Sequence, residues 1–102
     1  MSKTKRIIFE NKPIYLPFAD ADYGGDTMMK LETISNRFAK GQKAVLPKFA
    51  VAVYDVIMGA EVLATAHDKI VGQGGSPYWN NHRKGLDWFI KYFPEDYMTL
   101  LD

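Results

Sequence analysis

The stretch PKFAVAVYDVIMGAEVLATAH, Pro47 to His67, decides the fold. Only Lys48, Asp55 and Glu61 carry a formal charge in it, and most of the rest is apolar. Proline at a first helical position does no harm, since an N–H there has no intrahelical partner, so a helix is expected to open at Pro47 and run to His67. A helix apolar on nearly all sides is expected to be buried on nearly all sides, which makes this segment the scaffold of a small domain. Phe49, Val53, Val56, Ala60 and Leu63 form one seam at alternating four- and three-residue spacing. Lys48, Ala52, Asp55, Gly59 and Val62 form a second stripe of small or polar residues. Small side chains let another backbone come close, so Ala52 and Gly59 are candidate helix–helix contacts within the domain or between subunits. Phe49 to Ala66 falls just short of the roughly twenty residues of a membrane span. Asp55 and Glu61 would be costly near a bilayer centre, so the reading is a soluble core helix and no membrane.

Upstream, Ile7-Ile8-Phe9 and Ile14-Tyr15-Leu16 flank the break Glu10-Asn11-Lys12-Pro13, the pattern of a hairpin or extended pair, with Pro13 and Pro17 suited to an edge. Two strands alone are marginal and must pack on helices or pair with another chain. After the loop Ala19 to Gly25, Asp26 is placed to cap a helix from Thr27 to about Lys40, with Met28, Leu31, Ile34 (or Ser35) and Phe38 as its apolar stripe and Gly41 closing it. Downstream, the glycines between Asp68 and Gly75 end the central helix. Ser76-Pro77 then starts a third, running through Tyr92 or Phe93, with Tyr78, His82, Leu86, Phe89 and Phe93 along one face. Pro94 stops it, and Glu95 to Leu101 can form a last short turn. The expectation is an α+β fold, mainly α: a short N-terminal β-hairpin or extended pair, three helices and a C-terminal helical turn. It is read as one domain over 1–102, with 1–5 as a flexible N-terminus.

Composition excludes more than it identifies. Thirteen Lys plus Arg against twelve Asp plus Glu give a net charge of +1. A nucleic-acid mimic should be strongly acidic and a general nucleic-acid coat strongly basic, so nucleic acid is not the expected partner. With no cysteine, there are no disulfides, thiolate nucleophiles or cysteine-ligated metals, and a reducing, cytoplasmic location fits. Only Ile7, Ile8 and Phe9 follow the basic start before Glu10, too short a run for a secretory signal.

Each candidate for chemistry meets a simpler alternative. Asp20, Asp22 and Gly25 occupy the first, third and sixth places of a calcium loop, but the fifth is Gly24 and the twelfth Leu31, so the bidentate ligand is missing. Gly74-Gly75-Ser76 precedes a helix start whose free N–H groups could hold phosphate or a nucleotide, with His82, Arg83 and Lys84 about two turns on as countercharges. No Walker lysine and no Gly-x-Gly-x-x-Gly accompany it. His67-Asp68 resembles the paired ligands of metal-dependent phosphohydrolases, but only His82 remains to complete such a site, so no metal and no cofactor are expected. Asp55 and Glu61 sit roughly 120° apart around the helix and do not face one site. The aromatics Tyr78, Trp79, Trp88, Phe89, Tyr92, Phe93 and Tyr97 cannot all point inward from one helix, and exposed tryptophan and tyrosine are favoured interface anchors.

The tail Lys84-Gly85-Leu86-Asp87-Trp88-Phe89-Ile90-Lys91-Tyr92-Phe93-Pro94-Glu95-Asp96-Tyr97-Met98-Thr99-Leu100-Leu101-Asp102 resembles the ends of short, uncharacterised bacteriophage proteins. The resemblance implies a small host-takeover or defence-countering protein acting by stoichiometric binding in the host cytoplasm, and it supplies no site residues. The expectation is therefore an oligomeric, partner-binding or inhibitory protein, not an enzyme, with Trp79, Trp88, Tyr92 and Tyr97 as anchors beside Ala52 and Gly59. The alternative is a binder of a small nucleotide or phosphate at Gly74, Gly75 and Ser76 with His82, Arg83 and Lys84.

Overall fold

A computed structural model describes residues 6–18, 21–36, 41–71 and 77–101. Strand β1 (Arg6–Phe9) pairs antiparallel with β2 (Lys12–Tyr15), Phe9 standing opposite Lys12. The two connecting residues, Glu10 and Asn11, both have positive φ, 51° and 64°, the backbone that a two-residue hairpin with right-handed twist requires. Ile7 and Ile14 face each other and are buried, while Ile8 lies opposite Pro13 on the outer face.

The expected helix from Thr27 to Lys40 is not formed over its described part. Asp26 lies in a single 3-10 turn, Gly25–Thr27, and makes no capping hydrogen bond. Leu31–Ser35 is a strand, β3, paired antiparallel with β4 (Lys43–Pro47), with Leu31 opposite Pro47 and Ser35 opposite Lys43. The spacing of Leu31 and Ile34 fits a helix, but the alternation inside each segment fits a strand as well. Ala44 and Leu46 are buried while Lys43 and Val45 are exposed, and Glu32 and Ile34 turn inward relative to their neighbours. Pairing gives both strands partners that an isolated helix would lack, and tertiary context overrides the weaker local preference. Phe38 and Lys40 lie outside the described residues, as does the terminus 1–5.

Helix α1 (Lys48–Val71) begins one residue later than expected, Pro47 being the last residue of β4, and runs past His67. Its first donors are satisfied by the turn before β3: Lys48 N–H donates to the Lys30 carbonyl at 2.7 Å and Phe49 N–H to that of Met28 at 3.0 Å. A helix start leaves four N–H groups without intrahelical partners, so the segment expected to be helical instead caps the helix that forms. Helix α2 (Tyr78–Tyr92) runs antiparallel to α1, as the pairs Asp68–Trp79, Ile57–Gly85 and Phe49–Trp88 show. Phe93 breaks the helix at φ −137°, and α3 (Pro94–Leu100) follows with proline in its first turn. Asn36 Nδ2 donates to the Thr99 carbonyl at 2.8 Å and ties the end of β3 to α3.

The core is aromatic. Phe49 is fully buried and meets Phe9 edge-on at 5.4 Å, Trp88 edge-on at 6.2 Å and Phe93 at 6.1 Å. The inward side of α1 is Phe49, Ala50, Val53, Tyr54, Ile57, Met58, Ala60 and Ala64, a rotation away from the expected seam, which leaves Leu63 half exposed. The expectation of burial on nearly all sides also fails, for Val62 and Ile70 are 62% and 83% exposed. Lys48–Ile70 is by length and hydropathy capable of crossing a bilayer, yet its inward side is the floor of this core. Tyr23 closes the loop beside the core, its hydroxyl donating to the Phe18 carbonyl at 2.8 Å and accepting from the Phe18 N–H at 2.9 Å. Burial pushes the Tyr23 phenol above its ordinary range, partly offset by the Phe18 bond.

Candidate interaction surface

The periodicity of α2 puts two stripes on opposite sides. Gly85, Trp88 and Phe89 are buried, and Tyr92 packs half-buried beside them against α1 and the first hairpin. Trp79, Arg83, Leu86 and Ile90, spaced four, three and four, form the other stripe, in which Arg83 and Ile90 are exposed, Trp79 is half-buried and Leu86 packs half-buried at the edge of the core. The break at Phe93 and Pro94 turns α3 back so that Tyr97 joins this outer stripe, and the two helices enclose an open cleft of about 370 Å³. Trp79 is fixed within it: Nε1–H donates to Asp68 Oδ2 at 2.8 Å, and the His82 ring meets the indole edge-on at 5.3 Å. A tryptophan already held in one orientation loses little freedom when a partner covers it.

Of the residues expected to bind a partner, the structure brings Trp79 and Tyr97 together here and adds His82 and Arg83 from the expected ligand set. Trp88 is corrected: it is 5% exposed, and its Nε1–H donates to the Tyr15 carbonyl at 2.8 Å, so it anchors β2 within the chain. Tyr92 does similar work, its hydroxyl accepting from the Tyr15 N–H at 3.2 Å while its ring leans on Trp88. Both were drawn inward because β2 has no third strand, and its Tyr15 backbone groups find partners on α2 instead. Gly59 is exposed with open space around it, so within the described chain no backbone approaches there, and the close approach is made by Gly85 instead. Ala52 is half-buried beside a separate hollow formed with Asp22, Gly24, Glu32, Lys48 and Asp55.

The expected nucleotide set is not assembled among the described residues. Gly74, Gly75 and Ser76 lie outside them. Arg83 lines the cleft, whereas Lys84 is turned toward the loop before Tyr23, with Nζ 5.7 Å from the Phe18 ring centre. Adjacent residues on a helix diverge by about 100°, so the two cations serve different sides. In the loop once matched to a calcium site, Asp22 Oδ1 accepts from the Gly24 N–H at 2.9 Å, and no group of three metal-ligating side chains occurs among the described residues. Asp55 and Glu61 line different hollows. His67 Nδ1 and Asp68 Oδ1 are buried without hydrogen-bond partners, with the His67 ring edge-on to Tyr78 at 6.4 Å. No protein-family model, curated protein or solved structure matches the chain.

Reasoning from sequence missed Leu86 and Ile90 as members of the outer stripe. The signal was present: Gly85 stands in phase with Trp88, Phe89 and Tyr92, and a glycine in a helix marks a face approached closely by something else.

Proposed function

We propose that this chain is a small partner-binding protein that works by stoichiometric association in the cytoplasm, without chemistry of its own, through the cleft between α2 and α3. The observation that carries the reading is the convergence of Trp79, Arg83 and Tyr97 with apolar Leu86 and Ile90 on one open surface. Tryptophan, tyrosine and arginine are the residues in which binding energy concentrates at protein interfaces, above all where an apolar floor excludes water. The tail's resemblance to short bacteriophage proteins supports a host protein as the partner, in a takeover or defence-countering role.

The test is photo-crosslinking in cells from a benzophenone amino acid at Arg83, compared with one at Lys43, an exposed residue of β4 that does not line the cleft. A discrete adduct from Arg83, recovered at one partner per chain and absent from Lys43, is the expected result. Trp79→Ala and Tyr97→Ala should each weaken that association by about thirtyfold, equivalent to ~2 kcal/mol for an interface anchor. An adduct that survives both substitutions in folded protein, or no adduct at all, would remove the proposal.

A further inference from the structure

The second half of α1 is a covered-helix sequence without a cover. Val62, Thr65, Ala66 and Ile70 lie on its outer side, Ile70 83% exposed and Val62 62%. Val62, Thr65 and Lys69, all exposed, follow one another at three and four residues, the spacing of a helix that packs along another helix.

Two charges choose the occupant. Glu61 and Lys69 flank Thr65 along the hollow on this side, four residues before and four residues after it. No ion pair joins either to another described residue. A face with an acid at one end and a base at the other, equally spaced about its middle, is complementary to itself turned end for end. We infer that α1 pairs antiparallel with α1 of a second copy of this chain about a two-fold axis near Thr65. Each Glu61 then meets the partner copy's Lys69, and the apolar residues between them are covered. Isologous pairing of this kind is the commonest way that a protein assembles with itself. A bilayer fits the same face less well, since it would leave the Glu61 carboxylate in apolar surroundings with no cation to meet it. The pairing uses a different side of the molecule from the α2–α3 cleft and does not depend on it.

The experiment is sedimentation velocity of the full chain over the micromolar range, with charge reversals. The wild type should sediment as a dimer. Glu61→Lys and Lys69→Glu should each raise the dimer dissociation constant about tenfold or more, because each removes two attractions and creates two repulsions. The double variant Glu61→Lys/Lys69→Glu should restore association, which no structural defect in a single variant would imitate. The chain has no cysteine, so Thr65→Cys alone should oxidise to a linked dimer while Val45→Cys on exposed β4 should not. A monomer at every concentration, a dimer indifferent to the reversals, a double variant that stays apart, or binding to phospholipid vesicles in place of self-association would each overturn the inference. A monomeric chain that still crosslinks through Arg83 would overturn this pairing alone. A dimer whose Arg83 captures nothing would overturn only the cleft.

Discussion

At Gly85 the backbone of α2 presses against the Ile57 side chain of α1, and replacing Gly85 with alanine tests the packing of the two long helices. A Cβ built on Gly85 would overlap Ile57 Cγ1 and come within 2.9 Å of Ile57 Cδ1. Ile57 is fully buried, so its side chain has little room to retreat. Two effects oppose each other. Alanine is the better helix former, by about 1 kcal/mol over glycine in a helix interior. Against that, forcing an extra methyl into a filled core costs about 1–3 kcal/mol. The steric effect should win, leaving Gly85→Ala destabilised by ~1 kcal/mol or more, a fall in Tm of roughly 4–8 °C per kcal/mol at this size.

The sign should reverse when Ile57 is shortened. Ile57→Ala alone should cost about 2–5 kcal/mol through the lost burial and the cavity it leaves. In that background the new methyl at Gly85 meets only Phe18 Cζ, at an ordinary 3.6 Å, and occupies part of the vacated space. Gly85→Ala should then stabilise by up to ~1 kcal/mol, so the two substitutions couple by about 2 kcal/mol. Urea unfolding of the four proteins, followed by far-ultraviolet circular dichroism with a common m-value, measures the cycle. Additivity within about 0.5 kcal/mol, or a Gly85→Ala protein more stable than its parent, would refute the close approach of α1 and α2 at this point.

Three further outcomes follow from single hydrogen bonds. Trp88→Phe should cost roughly 1–3 kcal/mol in urea unfolding, because it strands the Tyr15 carbonyl that the indole N–H reaches at 2.8 Å. The chain has two tryptophans, so that variant also leaves Trp79 as the sole indole. Asp68→Ala introduced into it should cost about 1 kcal/mol and lower the fluorescence anisotropy of Trp79, which loses its 2.8 Å anchor; unchanged anisotropy would argue against a preset cleft. Tyr23→Phe removes both bonds to Phe18 and should cost about 1–3 kcal/mol. Because burial holds the folded Tyr23 phenol above its ordinary 10.0, its contribution is fully present below that pH and is lost as pH rises through the folded value. Unfolding midpoints on either side of pH 10.0 should therefore fall less steeply in the phenylalanine variant.

The fold was legible where one local signal had one interpretation. The break Glu10-Asn11-Lys12-Pro13 between β-branched and aromatic runs points to a hairpin or extended pair, and a long apolar run points to the central helix; both are present as β1–β2 and α1, with the hairpin turn narrowed to Glu10 and Asn11. The reading failed at Leu31–Ser35, where five residues satisfy the helical and the extended pattern alike. What settled that segment was Lys43–Pro47, an alternating strand in need of a partner, and the demand of the Lys48 and Phe49 N–H groups for carbonyls. Both constraints lie outside the window in which periodicity is read.

The aromatic residues of α2 show why the site was only half legible. Composition established that so many rings could not all be inside, but each side of the helix carries a tryptophan, Trp79 on one and Trp88 on the other, and hydropathy does not rank them. Each rule used to choose between them, that large rings fill cores and that tryptophan anchors interfaces, holds for one stripe and fails for the other. The smallest residue on the helix carries the decision. Gly85 costs helix stability wherever it stands, and only a neighbour pressed against it offsets that cost; here the neighbour is Ile57. Once Gly85 faces α1, its stripe mates Trp88 and Phe89 are committed to the core, and Arg83 and Ile90 are carried outward by phase alone. The same displacement acts on α1, whose inward side is consumed by Phe49, Val53 and Ile57, so that its remaining apolar residues, Val62 and Ile70, are left facing out. The two exposed surfaces are thus the remainders of one packing solution, and they are the surfaces that the proposed partner and the proposed second copy would cover.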